Sequence, residues 1–177
     1  MTAAIANDRL RKRFAKWDLD GSGSLERSDF VQEAENVVRA FGADAQSPQA
    51  EELRAAFTTL FDHLATRAGQ TPAGSLSEEQ FLQVAEGMVT EGGEADFDRV
   101  LGPVVQGIVG LCDRNNDGVI DAGEFASWLT AVGVDRSQAA AAFVDIDTNG
   151  DGELSVAELL SAVRDFHFGR SDVELLG

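Results

Sequence analysis

The chain repeats one twelve-residue pattern twice, as DRNNDGVIDAGE at Asp113–Glu124 and as DTNGDGELSVAE at Asp147–Glu158. Both stretches place oxygen-bearing side chains at positions 1, 3, 5, 9 and 12, a glycine at position 6 and an apolar residue at position 8. A hard dication such as Ca²⁺ binds six to eight oxygens, and loops of this length supply them from positions 1, 3, 5, 7, 9 and 12. The two stretches are therefore predicted to be calcium-binding loops of the EF-hand type.

The predicted ligands follow from these positions, and the glutamate at position 12 is expected to bind through both of its oxygens. In the earlier stretch, which is the third loop of the chain, they are Asp113, Asn115, Asp117, Val119, Asp121 and Glu124. In the fourth loop they are Asp147, Asn149, Asp151, Glu153, Ser155 and Glu158. A register beginning at Asp145 would put Gly152 at position 8 and Val156 at position 12. We reject that register because it loses the apolar contact and the bidentate acid.

A variant of the pattern, DLDGSGSLERSD, forms the first loop at Asp18–Asp29. Its predicted ligands are Asp18, Asp20, Ser22, Ser24, Glu26 and Asp29. Asp29, at position 12, is one methylene shorter than glutamate and is expected to reach the ion with one oxygen unless the loop contracts. A lower coordination number favours Mg²⁺, which requires octahedral geometry. We therefore predict three calcium sites in the chain, with Mg²⁺ competing most strongly at the first.

A weaker copy, GQTPAGSLSEEQ, lies at Gly69–Gln80 and is followed by Phe81. It keeps the glycine at position 6 and an apolar residue, Leu76, at position 8, but it has no acid at positions 1, 3, 5 or 12. Without charged ligands, dehydration of a dication in this loop is unfavourable. This second loop is predicted to pair with the first and to hold no ion.

The segments beside the loops have helical periodicity, as in Leu10, Phe14 and Trp17 before the first loop. We predict an all-α protein of four helix–loop–helix units, hereafter hands, paired into two lobes that pack as a compact globule. Short strand contacts are expected between paired loops. The expected division is an N-terminal pair at 1–90, a linker at 91–99 and a C-terminal pair with a tail at 100–177, because the double glycine Gly92-Gly93 breaks helices.

The formal net charge is −17, from 31 acidic and 14 basic residues. Such a charge repels nucleic acids and anionic lipid surfaces, so neither is an expected partner. Cys112 is the single cysteine, and no apolar run of signal-peptide or membrane-spanning length is found, so we expect a cytoplasmic protein. His63 and His167 do not have the spacing of zinc ligands. No catalytic constellation appears, and we expect a monomeric protein that is not an enzyme.

The sequence resembles the calerythrin and sarcoplasmic calcium-binding protein family, in particular its actinomycete-type members. The resemblance covers the whole chain and rests on Met1–Trp17, the first loop ending in Asp29, the ion-free second hand, Val100–Gly110 and Val163–Gly169. It implies a compact four-hand fold with the first, third and fourth sites occupied, and a role in calcium buffering or transport. Asp29 at position 12 is usual in that family, which supports its assignment as a ligand.

Two function classes remain open at this stage, a calcium buffer and a calcium sensor that exposes a groove to a partner. Sensor grooves are commonly rich in methionine, and this chain has only 2, so buffering is favoured. Apolar residues near the C-terminus are candidates to fill the cleft from within, unless this terminus is frayed; they are Phe166, Phe168, Val173, Leu175 and Leu176. Repulsion among the loop carboxylates predicts a looser protein without ions.

Overall fold

The computed structural model describes residues 2–71, 73–91, 93–131, 133–172 and Leu175. Within these residues the helices are α1 (Thr2–Trp17), α2 (Arg27–Ala40), α3 (Pro48–Arg67), α4 (Glu78–Thr90), α5 (Gly93–Cys112), α6 (Ala122–Ala131), α7 (Ala139–Ile146) and α8 (Val156–His167). A short 3₁₀ helix at Arg136–Gln138 precedes α7. Each predicted loop lies between two helices, so the predicted fold of four hands is confirmed.

The loops contact one another in pairs through short extended segments. Strand β1 (Ser24–Glu26) runs antiparallel to β2 (Ser75–Ser77), and Leu25 faces Leu76 at the centre of this two-stranded sheet. Ile120 and Leu154 exchange backbone hydrogen bonds of 2.8 Å in the same way. All four of these apolar residues are fully buried. The predicted strand contacts are therefore present, and the apolar residue at position 8 fixes the pairing of each loop.

The two pairs of hands are joined by a close helix contact between α3 and α5. Gly107 of α5 lies against Leu53 of α3, so that a Cβ atom placed on the glycine would be 3.2 Å from the Leu53 Cα atom. Only a residue without a side chain permits the two backbones to approach this closely. The buried core continues across this contact and includes Trp17 and Trp128.

The segment 91–99, predicted as a linker, is helical from Gly93 onward. Gly93 is the first residue of α5 and has φ of 64°, in the left-handed region. Asp96 lies in the first turn, where the helix dipole favours an acid, and it forms ion pairs with Arg67, at 2.7 Å, and with Arg99. Asp96 thus binds α5 to α3. The division into two lobes stays a prediction.

None of the described helices is both long and apolar enough to cross a membrane.

Candidate calcium sites

The first loop gathers three carboxylates around a glycine turn. Ligand oxygens of Asp18, Asp20 and Asp29 all lie within 4.8 Å of one another. The backbone N–H of Gly23 donates to Asp18 Oδ2 at 2.9 Å, and the N–H of Ser22 donates to Asp18 Oδ1 and to Asp20 Oδ1, both at 3.0 Å. These N–H groups hold the carboxylates in place, which leaves their remaining lone pairs free to bind a cation.

The fourth loop repeats this arrangement with a glutamate at its end. Asp147, Asp151 and Glu158 have ligand oxygens within 4.8 Å of one another. Gly152 N–H donates to Asp147 Oδ2 at 3.0 Å, as Gly23 does in the first loop. Asp145, where the rejected register would begin, lies inside α7. The geometry of the turn is therefore that expected for a loop beginning at Asp147.

The third loop has the same turn, with Gly118 N–H donating to Asp113 Oδ2 at 2.8 Å. Glu124 is buried, and its two oxygens accept hydrogen bonds of 3.0 Å from the N–H groups of Arg114 and Asp121. The described residues of this loop do not bring three acidic ligand atoms within 4.8 Å of one another, as the other two loops do. Its carboxylates therefore have farther to move before they can meet around one ion.

The residue at position 12 also caps the helix that leaves the first, third and fourth loops. Asp29 Oδ2 accepts from Glu26 N–H at 2.9 Å, and Glu158 Oε1 accepts from Ser155 N–H at 3.2 Å. In the third loop Glu124 and Asp121 exchange the same kind of hydrogen bonds. These reciprocal contacts between positions 9 and 12 form capping boxes, which satisfy N–H groups at the start of α2, α6 and α8. One side chain thus fixes the exiting helix to the loop.

The second loop keeps the capping box but not the turn. Ser77 and Gln80 cap α4 without any charge. The glycines at position 6 have φ of 83° in the first loop, 82° in the third and 81° in the fourth, whereas Gly74 does not adopt this conformation. Its N–H donates to the Thr71 carbonyl at 2.9 Å, because no carboxylate is present at position 1 to accept it. Pro72 of this loop lies outside the described residues.

The electrostatics of the first loop favour a bound cation. Burial raises the pKa of Asp29 above its usual value, and the nearby charges of Asp20 and Asp18 raise it further. Hydrogen bonds from the Ser22 side chain and backbone lower the pKa of Asp20 and favour its charged form. The carboxylates of the first loop therefore repel one another when they are charged. Their oxygens are ligands of the kind that Ca²⁺ and Mg²⁺ require. The residues present fit a divalent cation.

Comparison with known proteins agrees with this chemistry. The family described as an EF-hand domain pair matches residues 110–164. Calerythrin from Saccharopolyspora erythraea is 60% identical over 177 residues, which is 100% of both chains. The chain belongs to the calerythrin family of EF-hand calcium-binding proteins. The resemblance predicted from the sequence is thus confirmed, and because these proteins are non-enzymatic, so is the prediction that this chain is not an enzyme.

Two more distant relatives are similar over most of the chain. Luciferin-binding protein from Renilla reniformis is 27% identical over 170 residues, covering 94% of this chain and 88% of the relative. The second is a solved structure of a calcium-binding protein of Streptomyces coelicolor, which is described as the structural basis for prokaryotic calcium-mediated regulation. Its TM-score is 0.73 and its sequence identity is 27%. That comparison covers 94% of this chain and 99% of the other. These two relatives are described in different terms, one as a luciferin-binding protein and the other in connection with calcium-mediated regulation.

This member of the calerythrin family also has contacts that loop patterns do not indicate. Leu175 is 1% exposed, and its backbone carbonyl accepts a 2.7 Å hydrogen bond from Trp128 Nε1. Phe168 packs beside the core, whereas Val173 and Leu176 lie outside the described residues. The docking residue Leu175 was among the candidates in the sequence, but its partner Trp128 carries no sequence signal, because the contact joins residues 47 apart.

The remaining candidate residues have structural environments. Cys112 is buried, its S–H donates to the Glu124 carbonyl at 3.0 Å, and burial raises the pKa of the thiol to about 12. His167 is a core residue whose Nδ1 lies 2.8 Å from the Val163 carbonyl. His63 is partly buried on α3, and burial lowers its pKa. Packing accounts for the positions of Cys112 and His167.

Proposed function

We propose that this protein is a calcium buffer or transport protein that binds three Ca²⁺ ions, in the first, third and fourth hands. One observation carries the proposal. In the first and fourth loops three carboxylates lie close together, and the N–H group of the glycine turn donates a hydrogen bond to one of them. The third loop supports it through the same turn and the same contacts at Glu124. The second loop lacks charged ligands and is proposed to act only as the structural partner of the first.

The loop charges connect ion binding to stability. In the absence of a cation, carboxylates held within a few ångströms repel one another and oppose the compact state. Ligation removes that repulsion and stabilises the folded protein by RT ln(1 + [L]/Kd), about 2.7 kcal/mol per site at a hundredfold excess over Kd. We therefore propose a looser protein without calcium. Loss of near-ultraviolet circular dichroism on chelation would support this, and an unchanged spectrum would contradict it.

A buffering role, rather than a sensing role, is supported by the closed core. Leu175 occupies the interior beside Trp128, and Met88 is buried, so neither contributes to a surface groove. Buffer hands barely open on binding, whereas sensor hands expose a methionine-rich groove. We further propose that the protein is a cytoplasmic monomer and that its partners are calcium ions, without nucleic acid or membrane, since its charge of −17 repels both.

The first site is proposed to discriminate least against Mg²⁺. Asp29 is buried and tied to Glu26 N–H through Oδ2 at 2.9 Å. A short side chain held in this way offers fewer oxygens to a large ion than a bidentate glutamate does, and Mg²⁺ accepts the smaller number.

A regulatory role is the second candidate, because the Streptomyces coelicolor relative is described in terms of calcium-mediated regulation. A sensor would bind a hydrophobic reporter dye in calcium and release it in chelator. It would also retain a protein partner on a pull-down in calcium only. A buffer should show no rise in dye fluorescence on calcium addition and no calcium-dependent partner.

Calorimetric titration with calcium tests the three-site proposal. The unaltered chain should bind three ions, and D29N, E124Q and E158Q should each remove or weaken one. Gln80→Ala changes position 12 of the second loop and is the matched control, expected to leave the stoichiometry at three. Fewer than three ions in the unaltered chain, or a loss of one ion in Gln80→Ala, would contradict the assignment.

A further inference from the structure

The side chain of Arg9 joins α1 to the end of α8 and to the segment that follows it. Its Nη1 atom donates hydrogen bonds to the backbone carbonyls of Phe166 and Ser171, the latter at 2.6 Å. Its Nη2 atom donates to Asp172 Oδ1 at 2.7 Å. The guanidinium carbon lies 4.0 Å from the centroid of the Phe166 ring. The first hand is thereby tied to the C-terminal end of the fourth.

The side chain of Arg9 belongs to α1 and lies where a capping group would lie at the C-terminal end of α8. The carbonyl of Phe166 belongs to the last turn of α8, where carbonyls lack the usual partner one turn further along the helix; it accepts from the Gly169 N–H at 3.1 Å, and Arg9 supplies a second donor. A cation at this end also interacts favourably with the helix dipole. The Arg9 side chain is only 13% exposed, so water weakens these charge-assisted hydrogen bonds less than it would at the surface.

The two helices that Arg9 joins adjoin different calcium loops. Helix α1 ends at Trp17, immediately before Asp18, the first ligand of the first loop. Helix α8 carries Glu158 in its first turn, and Glu158 accepts hydrogen bonds from the N–H groups of Thr148 and Ser155. The fourth loop therefore sets the direction of α8, and a helix of 12 residues transmits that direction over about 18 Å to its far end.

We propose that Arg9 is a positioning residue that couples the first calcium site to the fourth. Occupancy of the fourth loop orients α8 so that the carbonyls of Phe166 and Ser171 meet Arg9. Arg9 then fixes α1, which places Asp18 for ligation before an ion arrives there. Coupling of this kind is reciprocal and is commonly 5- to 150-fold in affinity. The inference rests on the proposed function, because it requires that the first and fourth loops bind calcium.

The glycine turns provide a reporter for each site. The Gly23 amide donates to Asp18 Oδ2 in the first loop, and the Gly152 amide donates to Asp147 Oδ2 in the fourth. Their NMR resonances can be followed in a calcium titration against a chelator of known affinity. The titration is made on the full chain and on R9A, each with and without E158Q, which removes one negative charge from the fourth site.

The proposal expects E158Q to lower the calcium affinity reported by Gly23 by about tenfold in the unaltered chain and by less than twofold in R9A. The matched control is R11A, which removes an equal charge from the same helix. Arg11 is 65% exposed and faces Glu78, not α8. R11A should keep the full effect of E158Q. R9K keeps the charge but not the planar fork, and it should lose most of the coupling even if R9A does not fold.

Several outcomes would overturn the coupling. They are an equal effect of E158Q with and without Arg9, no effect in the unaltered chain, and equal losses in R9A and R11A. A Gly23 resonance that does not respond to calcium in the unaltered chain would instead refute the three-site function, and the coupling with it.

Amide hydrogen exchange gives an independent reading in D29N, in which the first site is disabled. Calcium should slow exchange in α1 about tenfold when Arg9 is present and leave it unchanged in R9A.

Discussion

Asp29 is a ligand candidate and a helix cap at the same time, and so are Glu124 and Glu158. Each accepts hydrogen bonds from the backbone of its own loop, and the carboxylates of Asp29 and Glu158 also lie close to the other acids of their loops. A substitution at position 12 therefore alters two properties, the affinity for the ion and the start of the exiting helix. Gln80 shows that the cap alone survives without charge, because it forms the same box with Ser77 in the second hand.

We predict that D29E makes the first site more selective for calcium. The added methylene lets both oxygens reach the ion, which raises the coordination number and disfavours Mg²⁺. The expected change is about tenfold in the ratio of calcium to magnesium affinity, which is equivalent to about 1.4 kcal/mol. Calcium titrations with and without millimolar magnesium measure it. E158D is the reverse control and should reduce selectivity at the fourth site; an unchanged ratio in both variants would exclude side-chain length as the cause.

His167 is predicted to make stability depend on pH. Burial, with the nearby charges of Arg13 and Arg9, lowers the pKa of His167 to about 4, against about 6.5 when it is free. As pH falls below 6.5 the unfolded chain binds a proton that the folded chain does not. Stability present above pH 6.5 is therefore lost on acidification through pH 4, by about 2 kcal/mol between pH 7 and pH 5.

Urea unfolding in saturating calcium at pH 7 and pH 5 measures this loss. H167F is the control, since phenylalanine does not titrate and keeps an aromatic ring beside Phe97 and Phe166. The carboxylates of the loops are common to both proteins and cancel in the comparison. The unaltered chain should lose about 2 kcal/mol more than H167F, and equal losses would show that His167 is not the titrating group.

At the scale of the helices, the contact of α3 with α5 places the two pairs of hands against each other. The contact depends on Gly107, which lies on the face of α5 toward Leu53. At the start of the same two-helix interface, Asp96 bridges to Arg67. Although burial opposes its charged form, hydrogen bonds from Arg99 and Arg67 lower the pKa of Asp96. Packing and an ion pair with a buried carboxylate therefore act together along α5.

Gly107→Ala should destabilise the protein. Its new Cβ atom would lie 3.0 Å from Leu53 Cδ1 and 3.2 Å from Leu53 Cα, so the helices must separate. Overpacking of this kind costs about 1–3 kcal/mol. Gly110→Ala on the same helix is the control, because its Cβ atom would meet Gln49 Cγ at an ordinary 3.7 Å. It should be neutral or stabilising by up to about 1 kcal/mol through helix propensity. Thermal unfolding of both variants distinguishes them, and equal melting temperatures would contradict the close approach.

The sequence was sufficient to predict the loops and helices, because these depend on short-range patterns. The twelve-residue spacing of Asp147–Glu158 and the periodicity of Leu10, Phe14 and Trp17 each lie within a few helical turns. It did not predict that α5 begins at Gly93, since a double glycine indicates a break but not its length. The contact of Arg9 with Phe166 joins residues 157 apart and leaves no local pattern to read.

At the scale of the whole molecule, the apolar core is shared by residues from both halves of the chain. A narrow apolar cavity of about 40 Å³ lies between the halves, lined by residues that include Leu10, Met88, Phe97 and His167. This space is enough for water and much smaller than the engineered cavity of about 150 Å³ that admits benzene. The closed interior agrees with a protein that binds ions at its loops and keeps its apolar surface covered. Leu175, in the C-terminal segment, helps to cover the apolar core.

Deletion of residues 171–177 is therefore predicted to open the core. It removes the buried Leu175 side chain and leaves Trp128 Nε1 without its carbonyl partner. Loss of a buried leucine side chain costs about 2–5 kcal/mol, and an unsatisfied buried donor adds about 1–3 kcal/mol. The truncated chain should unfold at a lower temperature in saturating calcium and should bind a hydrophobic reporter dye that the full chain excludes.

Leu175→Ala separates packing from the other contacts of this segment. It keeps the backbone carbonyl that accepts from Trp128 and the contacts of Ser171 and Asp172 with Arg9. It should reproduce the loss of about 2–5 kcal/mol expected for an emptied leucine site, with less dye binding than the deletion. Asp172→Ala is the surface control, because Asp172 is fully exposed and adds little burial, and it should melt within a few degrees of the full chain. A deletion as stable as the full chain, with no added dye fluorescence, would show that the terminal segment does not cover the core.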